Sequence, residues 1–201
     1  MKPTNVMAAE QSEALKFLER DFNQCFEQMR YYDTQIVEIL KFLFTAETAL
    51  IGAGLAVYKY GEASKVDYVL PSVAAISIGL LLGFFMFSLA VINRIYFVKV
   101  ARYVNEQRSL FVNQHPLGFM NEAGMPTDFH HPSYFSWNST QICFIYVIGA
   151  INTALFAALL YLVLAKSDIR LWTIAALGLT LFAVQVATAR WYLGRKDSGK
   201  N

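Results

Sequence analysis

Charge is scarce in this 201-residue chain. Asp, Glu, Lys and Arg make up 16% of it, while 56% is Ala, Val, Ile, Leu, Met, Phe, Trp, Tyr or Cys. Soluble domains carry roughly 25% charged and roughly 45–50% apolar residues. One soluble core covers a single face of each helix or strand, so a chain of this length cannot hide such an apolar excess from water. An ordinary soluble domain is excluded, and the excess must meet lipid. Cysteine is nearly absent: Cys25 lies in a polar segment and Cys143 in an apolar run, which leaves no disulfide or thiolate-metal framework to read. The sequence also lacks an HExxH pair, a GxSxG elbow, a phosphate-binding Gly-rich loop and a paired acidic motif at a membrane boundary. We therefore expect neither an enzyme nor a cofactor. Met1-Lys2 runs into polar sequence without an apolar stretch and small-residue cleavage site, so no signal peptide is expected.

Four runs hold the apolar residues: Phe42 to Tyr58, interrupted by Glu47; Val69 to Ile92; Ile142 to Ala165; and Leu171 to Ala189, the last three uncharged. A hydrocarbon core of about 30 Å needs ~20 helical residues, because backbone groups in lipid must pair within the segment. The pattern predicts an all-α, polytopic membrane protein with four transmembrane helices. Alternating ten-residue segments, as in a barrel, are absent. The first run is the shortest, so its helix is expected to begin near Ile36, with Lys41 reaching toward the headgroups. The expected divisions are 1–37, a cytoplasmic N-terminal heptad helix; 38–93, a first transmembrane hairpin; 94–140, a cytoplasmic helix and loop; 141–190, a second hairpin; and 191–201, a cytoplasmic tail.

Basic residues orient such helices. Lys2, Lys16, Arg20, Arg30, Lys41, Arg94, Lys99, Arg102, Arg108, Arg190, Arg195, Lys196 and Lys200 fall on one predicted side. Lys59, Lys65, Lys166 and Arg170 fall on the other. Both termini and the middle connection should be cytoplasmic. The Asn138-Ser139-Thr140 sequon then lies on the wrong side for glycosylation and is read as chance.

The N-terminal segment carries Leu15, Leu18, Phe22, Cys25, Met29, Tyr32, Ile36, Ile39 and Leu43 at alternating spacings of three and four, as the seam of a coiled coil does. Neither Pro nor Gly occurs between Thr4 and Gly52, so a helix can run from about Ala8 through the first span. The seam is a candidate oligomerisation surface. After the second span, Phe97, Val100, Val104 and Phe111 form a weaker stripe on a helix of ~20 residues. Packing against the N-terminal helix, or lying on the membrane surface, accounts for it. A sharper reading takes Arg94, Tyr96, Lys99, Arg102, Tyr103 and Arg108 as a signal-binding surface, arginines for phosphate and tyrosines for base stacking, suited to a nucleotide or single-stranded oligonucleotide.

From Asn113 to Thr140, Pro116, Gly118, Gly124, Pro126 and Pro132 break regular structure. His115, Asp128, His130 and His131 fall there, but adjacent histidines diverge and no pair has helical i,i+4 spacing, so no metal site is expected. Phe129, Tyr134, Phe135 and Trp137 resemble an interfacial aromatic anchor. Within the apolar runs, Glu47, Asn152 and Gln185 are the polar or pore candidates; a carboxylate at that depth costs on the order of 3 kcal/mol. Ala75, Gly79 and Gly83 repeat every four residues in the second run. Thr45, Ala49 and Ala53, or Thr48, Gly52 and Ala56, do so in the first, and Ala150, Ala154 and Ala158 in the third. All are candidates for close helix approach.

These features fit a gated homo-oligomeric channel, or alternatively a non-conducting membrane scaffold or accessory subunit assembling through its N-terminal helix. The long polar N-terminal helix, four runs, the extension opening Asn93-Arg94-Ile95-Tyr96 and a tail ending shortly after Arg190 resemble bacterial anti-phage membrane effectors, including the channel effector of the Hailong defence system. The resemblance is one of architecture. It implies an inner-membrane homotetramer that conducts chloride and opens on a nucleotide-derived signal.

Overall fold

The computed structural model describes residues 3–64, 69–113, 118, 120–164 and 171–199. Among them are four α-helices and no strand: α1, Pro3–Ser64; α2, Val69–Asn113; α3, Thr140–Val163; and α4, Leu171–Asp197. Three of these, α2, α3 and α4, are long and apolar enough to cross a membrane. The first apolar run forms part of α1 and is the one that carries a charged residue, Glu47. Lys65, Lys166 and Arg170, counted above on the far side of the membrane, lie outside the described residues.

Local sequence explains the helix bounds. Pro3 opens α1 and Pro71 falls in the first turn of α2, where the missing N–H would have had no helical partner. The uninterrupted stretch from Thr4 to Gly52 lets α1 form without a kink. Ser139, extended at φ −75° and ψ 132°, precedes α3. α4 closes on Arg195 and Lys196, whose charges complement the carbonyl end of the helix, and Gly199 at φ 65° takes the chain out of helical geometry.

The chain divides into two compact units. One comprises Met1–Thr34 and Arg94–Tyr134, the other Gln35–Asn93 and Phe135–Asn201. In the first, Cys25, Val98, Ala101, Val104 and Tyr134 are buried. Seam residues Phe22 and Tyr32 face α2: Phe22 shares a cavity with Phe111, and Tyr32 stacks on Tyr96 at 6.0 Å between centroids. The buried line on α2 meets the expected stripe at Val104 and otherwise departs from it, because Val98 and Ala101 are covered while Phe97, Val100 and Phe111 are half-buried.

The second unit keeps an apolar core, with Ile36, Leu43, Ile142, Ile145, Ile148 and Leu193 buried, but departs from a water-soluble pattern at its surface and in the polar groups it admits. Ile78, Leu81, Phe85, Leu179 and Val184 are exposed, while Asn152, Gln185 and Glu47 are buried. Large exposed apolar side chains suit lipid and oppose water. Hydroxyls here fold back on their own helices: Ser88 donates to the carbonyl of Phe84, Thr153 to Gly149 and Thr180 to Ala176. That satisfies them without water. Lys41 pairs with Glu38 at 2.8 Å, one turn toward the N-terminus, so its charge is drawn away from the apolar run.

Small residues set the closest contacts. A side chain at Gly83 would overlap the Asn152 carboxamide oxygen, and one at Gly79 would meet Glu47 Oε2 at 2.9 Å. Gly178 packs on Thr153 and Ala157, and Gly149 on Phe182. By contrast, Gly52 and Gly54 have nothing within 4 Å of that position. Gly83→Ala is expected to lower stability by about 1–3 kcal/mol through overpacking. Gly52→Ala should leave the thermal midpoint unchanged or slightly raised. In a double-mutant cycle, Asn152→Ala should relieve most of the Gly83→Ala loss, and strict additivity would refute the contact.

Candidate functional site

The first unit is organised by one face of α2 and the irregular segment 120–134. That segment has few backbone hydrogen bonds of its own, so its carbonyls need outside donors. α2 supplies them at helical spacing. Arg94 Nε donates to the Tyr134 carbonyl at 3.0 Å and Nη2 to Ser133 at 2.8 Å. Arg102 Nε donates to Pro132 at 3.0 Å, its guanidinium lying 4.4 Å from the Tyr134 ring centroid. Asn105 Nδ2 donates to His131 at 2.6 Å, and Arg108 Nη1 to Pro126 at 2.9 Å. Local turns complete the segment. Asn121 bonds Met125 through both its amide and its carbonyl, and Gly124 there adopts φ 62°, which strains other L-residues.

The expected signal-binding residues therefore divide. Arg94, Arg102 and Arg108 are engaged with main-chain carbonyls, and Arg94 is only 2% exposed. Tyr96 and Lys99 remain exposed, with Lys99 Nζ 5.7 Å from the Tyr96 ring centroid. Tyr103 donates to Asp21 Oδ2 at 2.8 Å, and Gln107 Nε2 donates to the same oxygen at 2.6 Å, tying α2 to α1. Asp21, Asn105 and Gln107 escaped the sequence reading. A polar line at 94, 102, 105 and 108 beside a Pro-rich loop was the available signal, since such a loop has to borrow donors. Tyr134, expected at a lipid interface, is buried beneath Arg102 instead.

A cavity of about 580 Å³ opens in this unit. Lys16 and Arg108 line it with Glu19, and Phe22, Phe111 and Met125 supply apolar surface. Of the seam residues, Leu15 borders this cavity and is 49% exposed; Leu18, Met29 and Tyr32 are half-buried, and Cys25 is buried. Burial within one copy accounts for the seam pattern at Cys25, Ile36 and Leu43, with Ile39 half-buried beside them. His130 and His131 are exposed, and Asp128 Oδ1 accepts from the His130 backbone N–H. His115 lies outside the described residues, among which no cluster of three metal-ligating side chains occurs.

The second unit holds the three intramembrane candidates. Asn152 Nδ2 donates to Gln185 Oε1 at 3.0 Å, joining α3 to α4. Glu47 is 5% exposed and lies against Gly79, and neither carboxylate oxygen has a hydrogen-bond partner. Trp137 stands edge-on to Phe135 at 5.0 Å and beside Tyr146 at 6.0 Å, with the Arg190 guanidinium 5.6 Å from its ring centroid. No protein-family model, curated protein or solved structure matches the chain.

The Cys25 thiol is pushed above its usual value by burial, and further by the Asp21 charge. The Tyr103 hydroxyl is raised chiefly by its hydrogen bond to Asp21. A phenol whose folded value is raised contributes stability that is complete at neutral pH and is lost as pH climbs through that folded value. Asp21→Asn should let Tyr103 ionise at lower pH and shorten this alkaline range. In a Cys143→Ala background it should also speed alkylation of Cys25 at pH 8. Identical alkylation rates and tyrosinate titrations in the two proteins would remove Asp21 from the centre of this cluster.

Proposed function

We propose that the chain is a subunit of a homo-oligomeric, gated membrane channel, with the apolar part of α1 as a fourth span beside α2, α3 and α4. The observation that carries this reading is the continuity of two helices. α1 and α2 each run unbroken from a unit with a charged, partly aromatic cavity into a unit whose exterior is apolar and whose interior holds polar groups. Neither helix carries Pro or Gly where it passes from one unit to the other, 5–51 in α1 and 84–113 in α2, and a ligand that shifts the packing of such a stretch biases its position beyond the site. Both termini and the middle connection are taken as cytoplasmic on the distribution of Lys and Arg, in a bacterial inner membrane.

Assembly of copies is supported by α1 faces that remain uncovered in one copy. Thr45, Ala49 and Ala53 are exposed, as are Thr48, Gly52 and Ala56. Such small-residue faces permit close approach of a second helix. A coiled-coil contribution from the N-terminal seam rests on Leu15 and its exposed neighbours, and a tetramer on the resemblance alone. The cavity with Lys16 and Arg108 beside Phe22 and Phe111 offers phosphate donors and ring-sized apolar surface, and it replaces the outer arginine–tyrosine surface as the favoured place for a nucleotide-type signal.

An anion path requires Glu47 to be off the conducting surface, since a carboxylate ring repels anions. Its burial at Gly79 supports that arrangement. Asn152 and Gln185 are bonded to each other inside one copy, which favours a structural part for them and supports the runner-up, a non-conducting scaffold. The two readings separate in planar bilayers. The channel reading expects currents that appear on adding cyclic dinucleotides or short oligonucleotides, with a reversal potential following the chloride gradient and unchanged by Glu47→Gln. A monomeric protein in ion-tight bilayers under all those ligands leaves the scaffold.

A further inference from the structure

A second cavity, of about 640 Å³, lies in the apolar unit among α1, α2 and α3, and Glu47 stands in its wall. The volume falls in the range of small-molecule sites, roughly 300–1,000 Å³. Its lining is aliphatic and aromatic, from Phe44, Ile51, Ile76, Ile151 and Leu155 among others. Among the described residues, Thr48 and Ser72 carry the only other side-chain oxygens in the wall, and no Lys, Arg or His borders it.

The carboxylate is the anomaly. It is 5% exposed, both oxygens lack a hydrogen-bond donor, and Gly79 leaves open the space that Glu47 Oε2 occupies. A buried carboxylate without a partner costs several kcal/mol unless a positive charge or proton joins it. A hard divalent cation is a poor match, since it takes about six or more oxygen ligands and the wall has one carboxylate and two hydroxyls. An organic cation with apolar substituents satisfies both demands, its charge meeting the carboxylate and its hydrocarbon the aliphatic wall.

We propose that this cavity binds one lipophilic organic cation per chain, a quaternary ammonium, phosphonium or hydrophobic amine, by pairing it with Glu47. Binding turns the Glu47 side chain from Gly79 toward the cavity, displacing a proton where the carboxyl is protonated. The occupant is a free solute that partitions into the membrane, distinct from a lipid headgroup. The site stands whether or not the protein conducts ions.

Equilibrium binding of tetraphenylphosphonium to the full chain in nanodiscs tests this. Saturable binding of one ion per chain is expected, weakening at least tenfold as pH falls from 8 to 5 while protons compete for the carboxylate. Glu47→Gln should reduce affinity at least tenfold, and Glu47→Asp should retain part of it. Ala154→Phe and Ala158→Phe fill the wall without touching the carboxylate, and each should also abolish binding with the oligomer size unchanged. Phosphatidylethanolamine in the nanodiscs should leave binding intact. Equal binding by Glu47→Gln and the two Phe variants would overturn the proposal. So would complete displacement by phosphatidylethanolamine, which assigns the carboxylate to a lipid amine, or absence of binding to the native chain, which leaves the cavity to lipid tails or a second copy.

Discussion

An unpaired peptide carbonyl is the constraint that shapes both halves of this molecule. In hydrocarbon no water is available to satisfy it, so the apolar runs of α2, α3 and α4 take the one local structure that pairs every interior backbone group within the segment. Outside the helices the same problem is solved with side chains. Segment 120–134 contains Pro126 and Pro132 and makes few internal bonds, and Arg94, Arg102, Asn105 and Arg108 provide donors from one face of α2. A hydrogen bond from a charged donor contributes about 1.5–3 kcal/mol. Three guanidinium groups and Asn105 thus supply donors that the segment's own backbone lacks.

Within the apolar unit the difficulty is reversed, because polar side chains must be admitted rather than backbone satisfied. Gly79 and Gly83, one helical turn apart on α2, leave the space into which Glu47 and Asn152 fit. Asn152 Nδ2 donates to Gln185 Oε1 while its own oxygen accepts no bond, and Glu47 has no partner at either oxygen. The Ala75-Gly79-Gly83 repeat thus has a definite purpose here: it accommodates polar side chains of neighbouring helices as well as letting helices approach. A neutral amide with one of its two ends bonded is a smaller burden in that setting than a carboxylate with neither oxygen bonded, which is why the cation site is proposed at Glu47 and not at Asn152.

The helical class and the uncharged runs were legible because lipid imposes a length and composition on any spanning segment, as Val69 to Ile92 shows plainly. The continuity of α1 as far as Gly52 followed from the absence of Pro and Gly after Thr4. The first unit's contacts were harder to read. Periodicity marks apolar faces, and it pointed to Phe97, Val100, Val104 and Phe111; of these only Val104 is buried, and the covered line also takes in Arg94, Val98, Ala101 and Asn105. A buried arginine looks the same in sequence as an exposed one. Only the loop's demand for donors, which is a tertiary matter, distinguishes them. Likewise Glu47, Asn152 and Gln185 stood out as polar residues in apolar runs, while their division into a bonded pair and a separate carboxylate depends on which helices meet.

The arginines also bear on orientation. Arg94, Arg102 and Arg108 were counted among the basic residues that mark the cytoplasmic side, and each is now seen bonded to peptide oxygen. A bond to a neutral carbonyl leaves the guanidinium charge intact, whereas pairing with a carboxylate cancels it locally. The positive-inside bias acts on charge, so a guanidinium bonded to a carbonyl keeps its weight in that count. On the orientation proposed above, the residues that fasten segment 120–134 are the same ones whose charge would hold the middle connection in the cytoplasm. Bonding to carbonyls rather than to carboxylates is what lets one set of side chains fasten the loop and still carry the charge that such an orientation requires.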